Sequence, residues 1–187
     1  MATMTREILS DTLKSLLRKK SLDRITVTEL VSVAGVNRQT FYYNFQDIYD
    51  LLEWTIDREA LIAFEDITDY EKWQTWLVNV FKYFQKNKRM IHNVFQPLAR
   101  PVVERYLQTC FEPVIDKVIR FYKKKYVETK NLSEKDIKFI VKTYTLIVIG
   151  LVFEWVDNEI TEDAEEFIAP YINLLEKSYL FMSRKFV

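Results

Sequence analysis

Residues 25–45 read ITVTELVSVAGVNRQTFYYNF, and the fold can be worked out from their spacing. Thr26 or Thr28 can cap a short helix that carries Val27, Leu30, Val31 and Ala34. Gly35 follows at once, where a helix end favours a left-handed residue. Asn37 can then cap a second short helix over Arg38 to Asn44. The spacing therefore predicts two short helices joined by a turn too tight to hold anything between them.

The flanks are helical as well. Ile8, Leu9, Leu13, Leu16 and Leu17 recur at helical spacing, and the basic run Arg18-Lys19-Lys20 suits the C-terminus of that helix. From Asp47, a good N-cap, a longer helix runs through Ile48, Leu51, Leu52, Thr55, Ile56 and Ala63, until the polar stretch Asp66 to Asp69 breaks it. Trp73, Trp76, Leu77, Val80, Phe81 and Phe84 form the cleanest apolar stripe in the chain. Ile91, Val94, Phe95 and Leu98 form a shorter one, and Pro97 and Pro101 bracket a break. Helical spacing resumes from Val103 to Tyr122, with a kink expected at Pro113, and ends at Lys123-Lys124-Lys125 ahead of a loop over Val127 to Leu132. Ser133 with Asp136 resembles a capping box and opens a long helix through Trp155. Thr161 with Glu162 and Asp163 opens the last helix, which Pro170 bends or restarts. No alternating strand pattern and no internal repeat interrupts this series.

Composition points the same way. Two glycines and four prolines in 187 residues cannot serve the many tight turns of a sheet protein. With 49% apolar and 15% aromatic residues the chain can build a core, and its 27 basic and 27 acidic side chains cancel, so disorder driven by low hydrophobicity is excluded. The single cysteine, Cys110, rules out an internal disulfide, and the single histidine, His92, leaves no cluster for zinc. No glycine-rich phosphate loop is present, and Glu162-Asp163 and Glu165-Glu166 are explained as charges at a helix start. The chain is therefore not expected to be an enzyme, and no cofactor or metal is called for. The first ten residues lack the apolar core of a signal peptide, and the longest apolar run, Leu146 to Phe153, falls short of the roughly 20 residues that span a bilayer. A cytoplasmic protein with no membrane partner is expected.

A helix-turn-helix sets its second helix in the major groove, where donors and acceptors distinguish the base pairs. The start of that helix here offers Arg38 for two acceptors on guanine, Gln39 for adenine and the Thr40 methyl for that of thymine. Phe41 and Phe45 point the other way and anchor the helix. Tyr42 and Tyr43 can bring hydroxyls to phosphates, and the helix start at Thr26 to Thr28 can receive another. The same spacing also fits helical proteins that never meet DNA, with Arg38-Gln39-Thr40 as a solvated face and the tyrosines as half-buried structural residues. Residues 1–50 hold seven basic and six acidic side chains, so local charge does not decide between the two.

The stretch TVTELVSVAGVNRQTFYYNFQDIYDLL, residues 26–52, resembles the N-terminal signature of TetR-family transcriptional regulators. The matching parts are Thr26-Val27-Thr28, the turn Ala34-Gly35-Val36, the helix from Asn37 to Phe45, and the acidic entry at Asp47. The chain departs from the family pattern at Ser21, where many members have Gly, and at Asn37, where many have Ser. It also has Ile48 where many have a lysine that touches phosphate, so that contact is not expected, and Lys19, Lys20 or Arg24 is expected to supply some of the affinity instead. The aromatic-rich helices and the Gly150…Glu154-Trp155 segment most resemble the branch that contains activators of dihydroxyacetone kinase operons.

The resemblance implies an all-α protein. It would have a three-helix DNA-binding domain over residues 1–47, a connecting helix over 48–64, and a helical bundle over 65–187 for dimerisation and for binding a ligand or partner. It further implies double-stranded operator DNA as a partner, with Thr26, Thr28, Asn37, Arg38, Gln39, Thr40, Tyr42 and Tyr43 as the contacts. A homodimer would form through the last two helices, roughly 133–158 and 161–184, with Gly150 permitting close approach and Trp155 and Tyr171 in the interface or in the core. The controlling partner would be a small-molecule effector, held by Trp73, Trp76, Phe95, Tyr106, Phe111, Tyr144 and Trp155, or else a sensor protein. Aromatic residues at helical spacing also fill cores, and the sequence leaves both readings open.

Overall fold

The computed structural model describes residues 2–63, 69–126 and 131–185, with side chains for 3–58, 69–126 and 131–179. Among them there is no strand, and the regular structure is helical throughout, as expected. The helices are α1 (Ala2–Leu17), α2 (Val27–Ala34), α3 (Arg38–Asn44), α4 (Ile48–Ala63), α5 (Trp73–Lys86), α6 (Lys88–Val94), α7 (Arg100–Lys125), α8 (Glu134–Asp157) and α9 (Ala164–Lys185). The expected break over 66–69 lies, apart from Asp69, outside the described residues. So does the expected loop over 127–132, apart from its last two residues, and so do the side chains of Ala63 and Met182.

The chain divides into two compact units. The first joins Met1–Ala63 with Asn87–Tyr106, and the second joins Phe64–Lys86 with Leu107–Val187. In the first unit α1 packs against α2, α3, α4 and α6. It does so through Leu9, Leu13, Leu16 and Leu17, all buried, whereas Ile8, one position off that stripe, is exposed. The Asn93 side-chain amide donates to the Leu17 carbonyl at 2.8 Å, which satisfies one of the carbonyls that the end of α1 leaves open. Leu98 was expected in the apolar stripe of α6 but is 70% exposed. The reason is local: α6 stops at Val94, and Leu98 falls in the turn before α7.

In the second unit α5 lies along α9. Trp155 of α8 stacks on Phe167 of α9 (centroids 5.4 Å apart, planes 17° apart) and tilts against Phe81 of α5 at 5.2 Å, so one indole ties three helices together. By length and composition alone α8 could cross a membrane, but most of its apolar stretch is buried inside the protein, as in a core helix. The expected capping box at its start is present, with Ser133 and Asp136 each accepting a backbone N–H of the other.

Beyond the end of α8, Glu159 and Ile160 adopt φ of 57° and 50°. A branched side chain there is strained by about 1–2 kcal/mol. Burial of the Ile160 side chain and a 2.9 Å hydrogen bond from its N–H to the Trp155 carbonyl offset that strain. α9 opens later than Thr161 because Asp163 is the cap, its Oδ1 accepting the Glu165 N–H at 2.9 Å. Pro113 and Pro170 lie on exposed positions inside α7 and α9, and each helix continues through its proline, so no restart occurs at Pro170.

Candidate nucleic-acid interface and aromatic cavity

Three local devices fix the two short helices. Thr26 Oγ1 accepts the Glu29 N–H at 3.2 Å, so Thr26 is the cap of α2, and Thr28 sits exposed in its first turn. Gly35 takes φ 69°, ψ 27°, and the Val36 N–H reaches back to the Val31 carbonyl at 3.0 Å to close the turn. Asn37 Oδ1 then accepts the Thr40 N–H at 2.7 Å and starts α3.

Apart from its chain neighbours, no described atom lies within 4 Å of where a Cβ at Gly35 would stand, so glycine is required by backbone conformation and not by space. Gly35→Ala is expected to lower unfolding stability by about 1 kcal/mol, read from the urea midpoint. An unchanged midpoint would show that the turn relaxes away from φ 69°.

Phe41 and Phe45 anchor α3 as anticipated. Both are buried, and Phe45 meets the Trp54 ring edge-on at 6.0 Å. The opposite face presents Arg38 and Gln39, both exposed, with Asn37 exposed at the cap and Thr40 only half-exposed. The adjacent tyrosines differ. Tyr43 is 85% exposed, whereas Tyr42 is 51% exposed, with its ring edge against Phe41 at 5.3 Å and the Arg38 guanidinium 6.0 Å above it. Lys19 and Arg24 are exposed, while Lys20 forms an ion pair with Glu29 at the start of α2.

Sequence reasoning missed Arg6. From α1 its Nη2 reaches the Asn44 carbonyl at the end of α3 at 3.4 Å, and its guanidinium lies 5.4 Å from the Phe45 ring centroid. A cation at the carbonyl end of a helix is stabilised by the helix dipole. Only tertiary packing brings residues this far apart in sequence together, so apolar periodicity held no signal for it.

The second unit holds a partly open cavity of about 180 Å³ between α5, α7, α8 and α9. Of the seven residues expected in such a site it gathers four: Trp73, Trp76, Phe111 and Tyr144. It does not gather the other three. Trp155 is in the core described above, Phe95 is half-buried at the end of α6, and Tyr106 is buried in the first unit, where its hydroxyl donates to the Ile56 carbonyl at 2.9 Å. Val114, Val118 and Tyr122 of α7, Tyr126 just past its end, and Val148 and Tyr179 are also in the wall. The α7 contributors follow Phe111 at spacings of three to four residues along one face. That stripe was legible, but not which side of it faced open space. His92 is exposed at the end of α6, and Cys110, half-buried on α7, is not part of the wall.

Apart from Glu176 and Lys177, the side-chain polar groups at the cavity are the hydroxyls of Tyr122, Tyr126, Tyr144 and Tyr179 and the N–H groups of Trp73 and Trp76. Trp73 Nε1 donates to the Tyr122 hydroxyl at 3.1 Å, and the Tyr144 hydroxyl lies 2.8 Å from Ser178 Oγ and donates to the Leu175 carbonyl at 3.2 Å. Burial pushes both phenols above the ordinary tyrosine value, so both are neutral at pH 7. Glu176 and Lys177 line the cavity from exposed positions.

Known proteins resemble this chain in sequence and in fold. Residues 71–177 match a TetR-family model, that of the transcriptional regulator C-terminal region. The HTH-type dhaKLM operon transcriptional activator DhaS of Lactococcus lactis is 28% identical over 122 residues, a match that covers 65% of this chain and 64% of that relative, a little under two thirds of its length. Among solved structures, the dihydroxyacetone kinase operon activator DhaS superposes with a TM-score of 0.70 at 24% identity, covering 95% of this chain and 97% of that one. The fatty acid degradation regulator FadR of Bacillus halodurans gives 0.67 at 18% identity, covering 91% and 93%. The two structural likenesses carry the fold, and the family model, which spans more than half of the chain, carries the family. The chain belongs to the TetR family of transcriptional regulators.

Proposed function

We propose that the chain is a homodimeric, sequence-specific regulator that acts in the cytoplasm, reads double-stranded operator DNA with α3 and is controlled by a small-molecule effector in its second unit. The observation that carries the DNA reading is the two-sidedness of α3. Phe41 and Phe45 lock one face into the core, while Arg38, Gln39, Tyr42 and Tyr43 stand exposed on the other. A buried anchor holds the helix rigid, and an exposed guanidinium and carboxamide can each make paired hydrogen bonds to a purine edge. The Thr40 methyl, half-exposed, is left for a thymine methyl, and the tyrosyl hydroxyls for phosphates. The start of α2 at Thr26 and Thr28 offers a further phosphate site.

Apolar side chains exposed on α8 and α9, including Leu146 and Leu174, support a dimer through those helices. The aromatic cavity favours an effector over a sensor protein, because a sensor-protein partner needs no cavity. The name of the Lactococcus lactis relative, an activator, supports activation as the output.

Selection of bound duplexes from genomic fragments tests the central claim. On the selected site Arg38→Ala is expected to cost about 1–3 kcal/mol and to relax the choice at one base pair. Tyr43→Phe is expected to weaken all sequences alike, since a phosphate contact holds no base information. If Arg38→Ala keeps both full affinity and the original preference, α3 does not read bases through that residue.

A further inference from the structure

We infer that the cavity of the second unit takes an uncharged aromatic molecule of one or two rings. The inference rests on the effector reading for its regulatory consequence, though not for binding itself.

Size sets the first limit. The cavity holds about 180 Å³, and an engineered apolar cavity of about 150 Å³ binds benzene. A single ring or a fused pair fits, whereas a nucleotide or a long lipid requires the walls to move.

The walls set the second limit. Trp76 and Phe111 meet edge-on with centroids 6.0 Å apart, and Val118 and Val148 are purely apolar, so a flat apolar guest finds ring faces and edges to pack against.

Charge sets the third. Inside, the polar groups are tyrosyl hydroxyls and the N–H groups of Trp73 and Trp76; the Tyr122 and Tyr144 hydroxyls and the Trp73 N–H are joined to one another or to α9, and those two phenols are neutral at pH 7. A charge moved there would give up its hydration, and a polyol would give up hydrogen bonds to water on every side for the fewer that a mainly aromatic wall returns. The two charged residues at the cavity, Glu176 and Lys177, are exposed and opposite in sign, so together they favour neither a cation nor an anion.

Isothermal titration of the full chain with indole, indole-3-carboxylate and glycerol tests this. Indole is expected to bind saturably, indole-3-carboxylate at least tenfold more weakly, and glycerol not at all. Val118→Trp, which fills the space, is expected to abolish indole binding. Val148→Phe is expected to weaken it at least tenfold, and it provides a second reading should the first variant misfold by circular dichroism. The inference is overturned if indole fails to bind up to its solubility limit, if the carboxylate or glycerol binds as tightly, or if both filled variants, folded, bind indole like the parent. Operator affinity measured with indole separates the two claims. Binding without a change in operator affinity upholds the ligand class and removes the effector reading. A different compound that shifts operator affinity while indole stays unbound does the reverse.

Discussion

Replacing Trp155 by alanine is expected to lower the stability of the protein by about 3–5 kcal/mol, the largest loss from any single core truncation in this chain. The residue is 1% exposed and packs against the rings of Phe167 and Phe81, which also meet each other at 5.8 Å. Removing the indole deletes that stacking and leaves a void that three packed helices can only partly close. Trp155→Phe should recover much of the loss, for two reasons. A ring remains in the stack, and the indole N–H, buried with no hydrogen-bond acceptor among the described residues, is removed with its desolvation cost. Urea unfolding at one fixed protein concentration measures both variants, the fixed concentration mattering because a dimer's apparent stability depends on it. A loss below about 1 kcal/mol for Trp155→Ala would mean that the aromatic cluster is loosely packed.

Trp155 also shows where sequence reading stopped. By spacing it was indistinguishable from Trp76: both fall on apolar stripes, both are large, and each fits a core or a cavity. The structure puts Trp76 at the open space and Trp155 in the filled core, and the difference comes from how α5, α7, α8 and α9 pack. Tyr106 repeats the lesson, since its hydroxyl finds the Ile56 carbonyl, a partner that no local pattern names. The helix pair at 26–45 was legible for the opposite reason. Its caps at Thr26 and Asn37 act over three residues, and Gly35 acts on its own φ, so the chemistry that shapes the motif is contained in adjacent letters. The exposed face of α3 followed from the same locality, because once Phe41 and Phe45 are buried, Arg38, Gln39 and Tyr43 have nowhere to point but outward.

The second large effect is expected at α8. Scattered exposed apolar residues are ordinary on protein surfaces. Phe139, Leu146, Ile147 and Gly150 are not scattered. They are all exposed, and spacings of one, three and seven residues keep them on one side of the helix, where Leu146 is 51% exposed; on α9, Leu174 is 64% exposed. A two-fold interface uses the same patch on both chains, so a substitution there counts twice. An unpaired carboxylate buried in such a contact costs about 3 kcal/mol, hence about 6 kcal/mol for Leu146→Glu in the dimer, or roughly a ten-thousandfold weaker association. Sedimentation at micromolar concentration should then find the variant monomeric, and binding to an inverted-repeat operator should fall with it, because each chain carries one reading helix. Leu98→Glu is the control: an equally drastic change at a position 70% exposed in the first unit, expected to leave association intact. Gly150→Ala sharpens the test. Apart from its chain neighbours and the helix's own backbone, no described atom lies within 4 Å of its missing Cβ in the single chain. If the site faced only water, alanine would stabilise α8 by up to about 1 kcal/mol and leave association alone. If a partner helix comes close there, the added methyl should instead weaken the dimer. A Leu146→Glu chain that sediments as the parent does, together with a Gly150→Ala chain that associates no less tightly, would remove the dimer from α8.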